Sequence, residues 1–81
     1  MRNTKYAEEL AMAKLKFPGG SEARIERLRI KSSDEVEIRF SWWKKGRMLP
    51  RPLDLSEGAL MQLLARGFRK GVLLPEKSQK R

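Results

Sequence analysis

The sequence predicts an α+β fold: an antiparallel sheet of three to four strands followed by one packing helix, with an N-terminal helix or flexible arm in front. Three observations carry this. Residues 35–43 alternate strictly, with Val36, Ile38, Phe40 and Trp42 on one side and Glu35, Glu37, Arg39, Ser41 and Trp43 on the other, the period of two that a half-buried strand requires. Residues 56–70 place Leu60, Leu63, Leu64 and Phe68 on one helical face, the spacing of an amphipathic helix. The segments Ser32-Ser33-Asp34 and Lys44-Lys45-Gly46-Arg47 are polar or glycine-bearing turns of the kind that join strands into hairpins.

Taken in order, residues 4–16 are rich in strong helix formers. Thr4 suits an N-cap, and Glu8 and Glu9 precede Lys14 and Lys16 in the order a helix dipole prefers. The apolar stripe of Tyr6, Leu10 and Ala13 is weak, so the segment reads as a short helix or an arm. Phe17-Pro18-Gly19-Gly20 ends it as a linker or hinge.

Residues 21–31 admit two readings, a short helix capped by Ser21 or a strand from about Arg24 to Lys31. The hairpin signal that follows favours the strand. Leu28 and Ile30 then alternate with a basic row of Arg27, Arg29 and Lys31, and Ile25 has the wrong parity, so a bulge or a late strand start is expected. After the second turn, Met48 and Leu49 begin a return strand that Pro50 and Pro52 confine to an edge or break; Leu53 and Leu55 alternate about Asp54 as a possible last strand. Ser56 caps the helix, Arg66, Arg69 and Lys70 crowd its last turn, and Gly71 suits the position after it. The organisation expected is an arm or short helix over 1–20, a sheet-plus-helix domain over 21–75, and a charged tail over 76–81.

Composition narrows the function. The chain has 81 residues, a formal net charge of +9, a pI of about 10.5 and 36% charged residues. One domain of this size is marginally stable alone, which makes a homodimer a reasonable expectation. The charge favours a polyanionic partner, nucleic acid before a membrane surface. There is no cysteine and no histidine, which removes disulfides, thiolate nucleophiles, Cys/His zinc sites and the usual imidazole base. Asp54 and Glu57 read as helix-start residues rather than a catalytic pair, and Gly19-Gly20 lacks the lysine of a phosphate loop. A non-catalytic protein without cofactor or metal is expected. No apolar run approaches the length of a membrane span and residues 1–16 do not read as a signal peptide, so a cytoplasmic or nucleoid-associated location is expected.

What remains is a sheet carrying aromatics and cations together: Arg39, Trp42, Trp43, Lys44, Lys45, Arg47 and Arg51, with Arg27, Arg29 and Lys31 beside them. Base faces stack on aromatic rings while lysine and arginine neutralise phosphates, a combination suited to single strands. Parity puts Trp42 with the core residues and leaves Trp43 as the more exposed ring.

The run Val36-Glu-Ile-Arg-Phe-Ser-Trp-Trp, then Gly46-Arg-Met-Leu-Pro50, then Leu53-Asp-Leu-Ser56 and a helix containing Leu63 resembles the single-stranded-DNA-binding domain of transcriptional coactivator positive cofactor four and its bacterial and phage relatives, over about residues 24–74. The resemblance implies a curved four-stranded antiparallel sheet followed by one helix, dimerisation through the helices, and a role in transcription or replication. It also implies that Arg39 and Trp42 contact single-stranded DNA, with the basic turn as the rim. The stretch between Pro50 and Leu53 is shorter than in that family and carries a second proline. The resemblance points to Trp42 and parity to Trp43; a bulge near Ser41 would reconcile them. Two other classes stay open: a duplex-DNA regulator using Arg66, Arg69 and Lys70, and a small protein-interaction module docking through Trp42 and Trp43.

Overall fold

The computed structural model describes residues 2–74; the charged tail expected over 76–81 lies outside the described residues. Four strands, β1 (Ala7–Lys16), β2 (Ser21–Ile30), β3 (Val36–Lys44) and β4 (Arg47–Leu49), are followed by one helix, α1 (Glu57–Arg69). The strands form a single antiparallel meander in the order β1-β2-β3-β4. This is the expected α+β architecture with its full complement of four strands.

The N-terminal segment departs from expectation. Residues 7–16 form a ten-residue strand rather than a helix or a loose arm, so the sheet extends well before residue 21. Ala11, Ala13 and Leu15 are buried in alternation with Met12, Lys14 and Lys16. This period-two pattern is satisfied by pairing with β2, and tertiary packing overrides the helix propensity of the individual residues. Phe17-Pro18-Gly19-Gly20 is a hairpin connection, with Gly19 and Gly20 at φ +92° and +94° and Phe17 N donating to Ser21 O. A bulge at Leu10 shifts the register, with Glu9 opposite Leu28 and Ala11 opposite Arg27. Residues 2–4 fold along the outer side of β1: Asn3 bridges Glu8, Glu9 N donates to Arg2 O and Thr4 N to Ala7 O.

β2 starts at Ser21 and pairs with β3 in unbroken register, from Ser21 opposite Lys44 to Arg29 opposite Val36. The parity conflict at Ile25 therefore has another resolution than a bulge in this strand. β2 buries residues on both faces, Ala23 and Ile25 under α1 and Glu26 and Leu28 on the other side. Lys45 and Gly46, at φ 53° and 76°, make a two-residue turn between β3 and β4, with both residues left-handed as a type I′ hairpin requires. β4 has three residues and stops before Pro50. Leu53 and Leu55 pack against the core as irregular backbone, not as the short strand expected there.

α1 begins where expected. Ser56 Oγ accepts from Ala59 N at 3.1 Å, satisfying one of the orphan donors of the first turn. It ends with Gly71 at φ +77° and with Val72 N and Leu73 N both donating to Gly67 O. The helix lies on β1 and β2. A Cβ on Gly67 would stand 3.4 Å from both Ile25 Cδ1 and Leu73 Cδ1, so the glycine lets helix and sheet approach closely. Leu63, Ile25 and Val72 are fully buried, with Trp42, Ala23 and Leu15 around them. Because α1 does not extend over β3, Val36 and Phe40 stay 46% and 43% exposed on the helix side. No helix among the described residues is long and apolar enough to cross a membrane.

Candidate nucleic-acid interface

The alternation of β3 separates the two tryptophans without any irregularity at Ser41. Trp42, opposite Ala23 and Leu49, lies on the helix side of the sheet, with Phe17 at 5.5 Å and the Arg51 guanidinium 5.1 Å over its ring. Trp43, opposite Glu22 and Met48, lies on the open face of the sheet that α1 does not cover. Parity puts Trp43 on this face, but its expected exposure is not found: the residue is 7% exposed. Its Nε1 donates to Ser41 Oγ at 2.8 Å, and two guanidinium groups, Arg24 at 3.9 Å and Arg2 at 4.9 Å, lie over the ring.

The remaining candidates divide among four places. Arg39, opposite Glu26, shares the open face with Trp43. Arg27 and Arg29 alternate with it and lie on the helix side instead, where both are engaged: Arg27 donates to Val72 O at 3.1 Å, and Arg29 pairs with Glu8 at 2.6 Å and Asp34 at 2.9 Å. Lys31 lies past the end of β2, exposed in the turn, so the expected basic row of three does not form. Lys44, Lys45 and Arg47 are exposed on the β3–β4 hairpin, and Arg51 just beyond it. None of these four, nor Arg39, has a carboxylate within salt-bridge distance among the described residues.

Sequence reasoning missed the charge lattice of the open face. Glu22, Arg24 and Glu26 alternate along β2, which is visible in the sequence as a period of two opposite in phase to Ala23 and Ile25. Arg24 pairs with Glu22 at 2.6 Å. Glu26 is fully buried and takes the Arg2 guanidinium at 2.6 Å, while the Arg2 backbone N–H donates to Glu9 Oε1 at 3.1 Å. Burial is the largest influence on the Glu26 carboxyl and pushes it up; the hydrogen bond with Glu9 adds to this and Arg2 offsets it in part. Burial alone would raise Glu9 as well. The hydrogen bond from Glu26, that from the Arg2 backbone and the charge of Arg2 outweigh it, and Glu9 lies below the ordinary 4.5. Glu9 Oε2 and Glu26 Oε1 are buried with no hydrogen-bond partner among the described residues. The two carboxyls titrate as a unit, Glu26 above the ordinary carboxylate value and Glu9 below it.

A pH dependence follows. Glu26 binds its proton more tightly in the folded state, so its contribution to stability is complete below the unfolded value and is lost as pH rises through the folded one. Glu9 has the opposite sign and loses its contribution as pH falls below 4.5. Glu26→Gln keeps an uncharged group there at every pH. Urea melts at about pH 5 and about pH 7 are expected to show the wild type losing more stability over that interval than E26Q. Equal losses would mean that the Glu26 carboxyl is not raised in the folded state.

No protein-family model, curated protein or solved structure matches the chain.

Proposed function

We propose that the protein is a non-catalytic binder of single-stranded nucleic acid, DNA in the first place, acting in transcription or replication in the cytoplasm or on the nucleoid. The observation that carries this reading is the β3–β4 hairpin. Lys44, Lys45, Arg47 and Arg51 stand exposed with no carboxylate partner among the described residues, whereas Arg24 and Arg29 are matched by acids. Unmatched cations clustered on one projection are what phosphates neutralise. Arg39 carries the positive surface onto the open face, where Trp43 is the aromatic platform. A base reaches that ring by exchanging with the Arg2 guanidinium, one planar group replacing another. Trp42, within the core, takes no part in stacking.

The resemblance to the positive cofactor four family supports the same reading, since four antiparallel strands followed by one helix is the element order it implies. We also propose a homodimer through α1, whose Met61 and Phe68 are 60% and 55% exposed and continue, through Leu60, into a hollow of about 450 Å³ lined by Phe40, Leu53 and Leu55.

Tryptophan fluorescence tests the binding. A single-stranded oligonucleotide is expected to quench the protein strongly at low salt and weakly at high salt, with a matched duplex much less effective, and sedimentation of the same samples should give two chains per particle. Tighter binding of the duplex would move the interface to the helix, and silence with both would end the proposal.

A further inference from the structure

We propose that the phosphate-binding surface does not stop at the hairpin but continues around the β1–β2 end of the sheet into a groove between β1 and the last turns of α1, so that one single strand is held at two ends. This rests on the reading above and adds the path of the ligand and a minimum length for it.

Two hollows trace the path. The first, about 280 Å³, places Lys16 of β1 and Lys45 of the hairpin around the same space, with Glu22 on its wall. That carboxylate is already matched, by Arg24 at 2.6 Å and Lys14 at 3.9 Å. The second, about 310 Å³, is lined by Met12, Ala13, Lys14, Arg66, Arg69 and Lys70, four cations and no acid among the described residues. Lys14 joins the two, since it borders the second hollow and reaches Glu22 in the first.

The electrostatics favour an anion there. A helix C-terminus carries partial negative charge and by itself repels phosphate. Here Arg66, Arg69 and Lys70 outweigh it, and Arg66 Nη1 also covers the carbonyl of Lys14 at 3.0 Å, removing a second negative pole from the groove. The hairpin and the groove lie on opposite edges of a four-stranded sheet, roughly 14 Å apart by strand spacing. A strand long enough to reach both gains the second set of contacts intramolecularly, at high effective concentration.

Labelled oligothymidylates from about 4 to about 20 nucleotides, bracketing the span of one sheet platform, test this by fluorescence anisotropy. Wild-type affinity is expected to step up once the strand spans both edges. The double variant Arg69→Gln/Lys70→Gln should remove that step, costing long oligonucleotides roughly 15-fold at 0.15 M salt by the loss of two phosphate contacts, while the shortest bind as before. Lys5→Glu, an exposed position off the path, makes the same change in net charge and should cost long and short strands alike and little. If the double variant loses no more than K5E, or loses equally at every length, the groove is not part of the path and the hairpin reading stands. If no oligonucleotide of any length binds the wild type, both fall.

Discussion

Replacing the three cations of the hairpin together, Lys44→Ala, Lys45→Asn and Arg47→Ala, is expected to weaken single-strand binding roughly 50-fold at 0.15 M salt and to reduce the salt slope by about 2, from about 0.7 per phosphate contact. Asparagine is chosen at position 45 because that residue sits at φ 53°, and Asn-Gly is the pair a two-residue type I′ turn accepts most readily. The hairpin thereby keeps its shape while its charge goes. The effect should be the same for every base sequence, since phosphates carry no sequence information. Affinity measured across a salt series decides the matter: an unchanged slope would place the phosphates elsewhere, whatever happened to the affinity at one salt concentration.

The second large effect is on stability. Trp42→Ala should cost about 3–5 kcal/mol, the range for deleting a large aromatic from a packed core. The ring is buried against Ala23, Phe17 and Leu63, and a chain of this size has on the order of 4–12 kcal/mol in all. Trp43→Ala removes an equally large ring, but from a face where Arg2 and Arg24 are its cover rather than the hydrophobic core. Long flexible side chains can close over the gap, so the loss should be smaller. Urea melts followed by far-ultraviolet circular dichroism compare the two without relying on the fluorescence that the substitutions alter. A Trp43→Ala variant less stable than Trp42→Ala would reverse the assignment of the rings to core and surface.

The elements with a clear period were readable from the residues. β3, its turn at Lys45-Gly46, the Ser56 cap, α1 and the Gly71 terminus stand within a residue or so of where the pattern puts them. β1 was not, because alanine, glutamate, lysine, leucine and methionine all favour helix locally and only the partner strand decides otherwise. β2 was read as a strand, but its start at Ser21 and its buried faces were not, for a different reason. It is buried on both faces, and a strand with two buried faces has no single apolar parity to detect. The hairpin cations were legible as a surface because nothing in the neighbouring sequence neutralises them. The cover over Trp43 was not, since it comes from Arg24 on the next strand and Arg2 near the start of the chain, neither of them near in sequence.

The bulge at Leu10 has a bearing on what happens between molecules. β1 is ten residues long and lies at the margin of the sheet, the arrangement most prone to recruit a foreign strand and grow into a continuous ribbon. Its outer side is closed piece by piece: residues 2–4 pair alongside Ala7 to Glu9, the bulge bends the strand just after them, and Arg66 takes the Lys14 carbonyl. Backbone irregularity and a single arginine thus oppose the addition of a foreign strand along this margin, and the strand does so without a proline.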